Sequence, residues 1–203
     1  MAANPTIKDE LFQAQVIQAA QQLFQQYGMY KVTMDDVAKA VGKGRSSLYY
    51  YYKSKEEILY AVLDVEIGEI LAGMTQAVNQ QTTAEAKIHA FCATQLKGLR
   101  KRKALYNTVD MDGNEMAYRA KAALAVRERY RKQQSDLLSQ ILRYGIDSGE
   151  FHPLNQKELD RLIFVLLSGL KGLVREMVLE KDDNLEPAIN TWTRLIVHGL
   201  KKG

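Results

Sequence analysis

Residues 33–55 read TMDDVAKAVGKGRSSLYYYYKSK. Thr33 offers an N-cap oxygen, and Asp36 puts an acid in the first turn, where the helix dipole favours it. Val37, Ala38 and Val41 line one face of a short helix over Met34–Val41, and Gly42 ends it. A second short helix follows over about Gly44–Tyr51 and runs into four consecutive tyrosines. Lys43, Arg45, Lys53 and Lys55 meet no acid anywhere in residues 43–55. A capped helix, a glycine turn and a basic helix form the order of a helix-turn-helix, whose second helix meets DNA.

DNA binding needs charge for phosphates, polar groups for base edges and a rigid platform, and residues 43–55 supply all three. Arg45, Ser46 and Ser47 lie at the N-terminal end of the second helix, the part that a docked helix presents to bases. The Arg45 fork suits guanine O6 and N7. Leu48 and Tyr52 are four apart and are expected to pack on the preceding helix. Tyr49, Tyr50 and Tyr51 do not all fit into the core of so short a helix, so at least two are expected to face outward. Lys55 starts the next helix, where a phosphate is favoured by the positive helix end.

Working outward, helix one is expected over about Lys8–Tyr27, with Val16, Ala20, Leu23 and Tyr27 on one face and Gly28 as its stop. Ser54 and Glu57 read as a capping box for a helix reaching about Val78, and Thr82 with Glu85 as another for a helix carrying Ile88, Phe91, Cys92, Gln95 and Leu99. An irregular stretch, Asn107–Glu115, precedes a long helix over about Tyr118–Tyr144. A turn over Asp147–Pro153 leads to two strongly apolar helices, Gln156–Glu180 and Leu185–Lys201. No stretch shows sustained period-2 alternation, so the fold class is all-α.

At residues 16–59 the chain resembles the tetracycline-repressor (TetR) family of bacterial regulators. The likeness rests on A-x-x-L-F-x-x-Y-G (Ala20–Gly28), T-x-x-D-V-A-x-x-V-G (Thr33–Gly42) and L-Y-Y-Y-Y-K-S-K-E-E-I-L (Leu48–Leu59). It implies an N-terminal three-helix DNA-binding domain, residues 1–54, and a helical ligand-binding and dimerisation domain, residues 55–203. On that template the DNA contacts fall on Arg45, Ser46, Ser47, Tyr49, Tyr50, Tyr51 and Lys55, with Thr33 and Met34 touching the backbone. The chain departs from the family pattern at Lys43 and Gly44, where an apolar residue and a serine are usual, and at Tyr52, where phenylalanine is usual.

The resemblance also implies a homodimer on a palindromic operator and a small-molecule effector of unstated identity. Leu162, Leu166, Gly169 and Leu173, with Trp192, Leu195 and Ile196, are the candidate dimer residues. The apolar stripes that hold them are too wide for one partner, and a four-helix bundle between two copies would cover both. Candidate effector-lining residues are Phe91, Cys92, Gln95, Leu96, Tyr106, Met111, Met116, Tyr118, Tyr130 and Leu137. Helical residues of these types are more often plain core.

The composition sets outer bounds. The chain has 203 residues, 46% hydrophobic, with formal net charge +4, which permits nucleic-acid binding without requiring it. A single cysteine, Cys92, precludes an intramolecular disulfide and fits a reducing cytoplasm. The N-terminus lacks a signal-peptide pattern, and the run Leu162–Leu170 is far short of the roughly 20 residues that span a bilayer. No membrane partner is therefore expected. Asp110, Asp112, Asn114 and Glu115 around Gly113 lack the spacing of a calcium loop. Glu85, His89 and Cys92 share a helical face without a partner motif, so no metal or cofactor is expected. Lys97 with Arg100–Lys103 reads as a solvated helix end. No nucleophile elbow, phosphate loop or paired-carboxylate site occurs, so no enzyme is expected. The alternative is a helical small-molecule carrier or enzyme with a vestigial helix-turn-helix.

Overall fold

The computed structural model describes residues 6–101, 121–180 and 186–201. Among these lie eight helices: α1 Ile7–Tyr27, α2 Met34–Ala40, α3 Arg45–Tyr51, α4 Lys55–Asn79, α5 Ala84–Lys101, α6 Lys121–Asp147, α7 Gln156–Glu180 and α8 Glu186–Leu200. The only extended pairing among the described residues is a single bridge between Phe151 and Lys201. The chain is all-α, and the helix bounds fall within a few residues of those read from periodicity. Its described residues divide into two compact units, one holding 6–67 with 121–127, the other 68–101 with 128–180 and 186–201.

The first unit is built on a period of four. Val16, Ala20 and Phe24 of α1 are buried against Val37 and Ala38 of α2, Leu48 of α3, and Ile58, Leu59 and Val62 of α4. Both of its first two helices start in capping boxes. The Thr6 and Thr33 hydroxyls accept the N–H groups of Asp9 and Asp36, whose carboxylates accept the backbone N–H groups of Thr6 and Thr33 in return. Gln21 and Gln25 of α1 both donate to the buried Glu66 carboxylate of α4.

The second unit has its own core, with Ile88 and Phe91 of α5, Leu138, Ile141 and Leu142 of α6, Leu159, Ile163, Leu166 and Leu170 of α7, and Ile189, Ile196, Val197 and Leu200 of α8. Helix α5 packs on both α7 and α8. The expected Thr82–Glu85 capping box does not form. The helix begins one residue later, so Thr83 is the cap and accepts the Ala86 N–H at 3.1 Å. Both oxygens of Glu150 accept the Ala84 N–H, at 3.0 and 2.9 Å. Glu85 instead pairs with Lys201 at 3.1 Å. An acid 66 residues away in sequence thus takes the capping role.

Several dimer candidates belong to this core. Leu166 and Ile196 are buried within the chain, and Leu162, Leu173 and Trp192 are partly buried against the same cluster. Gly169 is the seat of Trp192. A Cβ there would lie 2.1 Å from the indole Cη2, so the close approach it allows is made within the chain. Among its described residues, the most exposed large apolar side chains are Phe164 at 67%, Leu195 at 65% and Val165 at 59%. Phe164 and Val165 lie outside the stripe that helical periodicity draws along α7, through Leu159, Ile163, Leu166 and Leu170.

Candidate nucleic-acid interface

The turn between α2 and α3 sets the angle of the second helix. Gly42 has φ +66°, its N–H donates to the Lys39 carbonyl at 3.0 Å, and the Lys43 N–H donates to the Ala38 carbonyl at 3.0 Å. This paired closure is a Schellman motif, which needs a left-handed residue at Gly42. Gly42→Ala is expected to destabilise the protein by about 1–2 kcal/mol through the Cβ clash of that conformation. The shift of the urea midpoint would measure it, and an unchanged midpoint would mean that the turn relaxes.

Helix α3 has Gly44 as its N-cap, without a side-chain cap bond. Its inner face is Leu48, fully buried, and Tyr52, 9% exposed. Anchoring that face turns Arg45, Ser46, Ser47 and Tyr50 to solvent, with Tyr50 at 74% exposure. Tyr49 is half-buried. Arg45 is held on two sides. Its Nε lies 3.2 Å from Asp35 Oδ1 of α2, and its Nη2 donates to the Tyr49 hydroxyl at 3.2 Å. The guanidinium also lies 5.3 Å from the Tyr49 ring centroid. The basic segment is therefore not free of acids, since Asp35 faces Arg45 from the neighbouring helix. A count confined to residues 43–55 does not see it.

Other candidates are placed differently from the sequence reading. Met34 is 8% exposed, so its side chain is core and only its backbone stands at the start of α2 beside the exposed Thr33. Lys55 donates to the Met29 carbonyl at 2.8 Å, tying the start of α4 to the turn after α1. Lys53 folds back on the Tyr49 carbonyl at 3.0 Å, at the negative end of α3. Lys43 is exposed. Tyr51 is half-buried. Its hydroxyl donates to Asp9 of α1, and its ring packs on Phe12 at 5.0 Å and on the edge of Tyr50 at 4.9 Å. Tyr51 thus braces the platform on which Tyr50 stands. The contribution of Asp9 was missed, because it lies 42 residues from its partner.

The Tyr51 and Thr6 hydrogen bonds hold the Asp9 carboxyl at about 2, below its ordinary 3.8. The same bond to Asp9 pushes the Tyr51 phenol up to about 12 from 10.0. Asp9 then stabilises the fold fully above 3.8, and the contribution fades as pH falls toward 2. Tyr51 contributes fully below 10.0, and its contribution fades as pH rises through about 12. Tyr51→Phe should therefore lower the thermal midpoint across that middle range and converge with the parent toward either edge. A midpoint difference independent of pH would show that the bond is not the cause.

The candidate effector residues fall into two groups. Tyr106, Met111, Met116 and Tyr118 lie outside the described residues, as do the acidic stretch 110–115 and Lys103. Of the rest, Phe91, Cys92, Leu96 and Leu137 are buried in the core of the second unit, and Gln95 is buried with them on α5. Tyr130 is half-buried on α6. Gln95 Oε1 and Gln134 Nε2 are buried without a hydrogen-bond partner, and each residue is 6% exposed. Burial pushes the Cys92 thiol up to about 12, so it is not a thiolate at neutral pH. Glu85, His89 and Cys92 do not converge: Glu85 turns to Lys201, His89 bonds Asn190 at 3.0 Å, and Cys92 faces the core. Lys97 pairs with Glu186 at 3.7 Å. No helix among the described residues is long and apolar enough to cross a membrane.

Residues 16–62, which hold the whole α2–α3 platform, match the model of the bacterial regulatory proteins of the tetR family. This segment is that of a tetR-family regulator. The chain is a DNA-binding transcriptional regulator. Its curated relatives include the HTH-type transcriptional regulator YfiR of Bacillus subtilis, 28% identical over 70% of this chain and 69% of that protein. Similar solved structures include the fatty acid degradation regulator FadR from Bacillus halodurans, with TM-score 0.69, 22% identity and coverage of 93% of this chain and 99% of that one. FadR from Bacillus subtilis in complex with stearoyl-CoA is also similar, with TM-score 0.68, 22% identity and coverage of 92% and 98%. These two likenesses show that nearly the whole chain shares the fold of those two structures.

Proposed function

We propose that this tetR-family regulator is a dimeric repressor in the cytoplasm, released from a palindromic operator by a small molecule, and without catalytic activity of its own. The observation that carries the reading is the solvent-facing row Arg45, Ser46, Ser47 and Tyr50, on a helix whose opposite face is locked by Leu48 and Tyr52. Residues 1–54 act as the reading head, and residues 55–203 bind the effector and the second copy. The exposed Phe164, Val165 and Leu195 support α7 and α8 as the dimer face. Buried, unpartnered amide groups on Gln95 and Gln134 support an interior effector pocket, apolar with a few polar anchors. Release requires that the effector bind the DNA-incompetent state more tightly than the competent one.

Fluorescence anisotropy with the DNA upstream of this protein's own gene tests the reading, at several salt concentrations and against a scrambled duplex. Selective binding with a steep salt slope is the expected result. Stearoyl-CoA is the first effector to add, since a structural relative is known with it bound. Its expected effect is release of the duplex. No affinity for either duplex at low salt would favour the alternative, a carrier or enzyme with a vestigial helix-turn-helix.

A further inference from the structure

A cleft of about 590 Å³ opens on the second unit between the start of α5 and one side of α8. That volume is of the size that small-molecule sites occupy. Gln81, Thr83, Glu85 and His89 line one wall, and Asn190, Thr193 and Arg194 the other. Among the described residues of its lining, Ala86 and Ala90 are the apolar side chains and the others are polar or charged. None of these residues is among those proposed to hold the effector.

Two observations show that the cleft is more than a surface fold. Thr193 is 5% exposed, and its hydroxyl has no hydrogen-bond partner. A buried hydroxyl left open costs free energy that valine in the same shape would avoid, unless something visits it. Arg194 is exposed and has no ion-pair partner among the described residues, whereas Glu85 is neutralised by Lys201 at 3.1 Å. The cleft thus carries one uncompensated cation amid neutral donors and acceptors. His89 and Asn190 are joined across it at 3.0 Å. Asn190 and Arg194 lie roughly 100–140° round α8 from the exposed Leu195, so an interface built on Leu195 uses a different side of the helix.

We propose that this cleft binds a small polyhydroxylated monocarboxylate, the chemistry of a sugar acid. The Arg194 guanidinium fork takes the carboxylate. Thr193, Asn190 and His89 take hydroxyls, and the Glu85 carboxylate accepts from a further one. One uncompensated cation among the described lining residues balances one carboxylate, whereas a dianionic phosphate would leave a charge unpaired.

The chain has three histidines, His89, His152 and His198, and only His89 lines the cleft. Imidazole resonances of the full chain, labelled at histidine, are followed at fixed pH and ionic strength while sodium gluconate is added. Sorbitol, sodium chloride and inorganic phosphate are the comparison probes. Gluconate should move the His89 resonance saturably and leave His152 in place, while the other three give no saturation. Arg194→Gln should weaken half-saturation roughly tenfold, and Thr193→Val by several-fold. No saturable change at His89, an equal response to phosphate or chloride, or an unchanged midpoint in Arg194→Gln would each overturn the proposal. An unshifted His152 resonance in the variants confirms that they are folded, since the His152 backbone is bonded to the end of α8.

Discussion

Replacing Phe164 and Leu195 together by aspartate should turn the protein into a monomer and weaken operator binding by roughly 10²–10⁴-fold. Both side chains are among the most exposed large apolar groups of the described chain, at 67% and 65%. Neither belongs to the intrachain core, which uses Leu159, Ile163, Leu166 and Leu170 of α7 and Ile189, Ile196, Val197 and Leu200 of α8. Carboxylates at the two exposed positions therefore leave the fold of each copy intact. In a dimer they would be buried without a partner charge, which is strongly unfavourable. Each copy would then meet its half-site alone, without the effective concentration that a linked second head supplies. Sedimentation of the variant checks the first step, and anisotropy on the full operator the second. A variant that stays dimeric would place the interface elsewhere. A monomer with unchanged operator affinity would mean that one head suffices.

Arg45→Ala is expected to weaken operator binding by roughly 1–3 kcal/mol, about five- to 150-fold, and to relax discrimination at one base position. The effect should appear without a matching loss of stability. The Arg45–Asp35 pair is solvent-exposed, with side-chain exposures of 62% and 50%, and such pairs contribute little to folding. What the pair does is hold the guanidinium. With Nε on Asp35 and Nη2 on the Tyr49 hydroxyl, the side chain loses less freedom when it meets a base. Asp35→Ala makes the comparison sharper. It raises local positive charge yet frees the arginine, so non-specific binding should rise while discrimination between operator and scrambled duplex falls. An unchanged affinity in Arg45→Ala would remove this residue from the interface.

The local features of the reading head were legible in the amino-acid order because each is a short-range event. The Thr33–Asp36 box closes over three residues, the Gly42 turn over five, and the Leu48–Tyr52 face over four. Capping oxygens, a residue free to take positive φ, and apolar side chains one turn apart determine these whatever surrounds them. The same short-range rules place the apolar cores along α1, α7 and α8, and so the all-α class.

Only the tertiary structure decided which groups meet across elements. Tyr51 finds Asp9 over 42 residues, Glu150 caps α5 over 66, and Asp35 reaches Arg45 from the neighbouring helix. Trp192 occupies the space above Gly169, which turns a candidate contact between copies into one within the chain. Periodicity places a wide apolar stripe on α7 and α8 but leaves open which part of it meets the same chain. Packing on α5 settles it, burying Leu166 and Ile196 and leaving Phe164, Val165 and Leu195 outside. A hydrogen bond or a packed ring depends on positions within a few ångströms in space, and such proximity between residues distant along the chain arises only after the helices have docked.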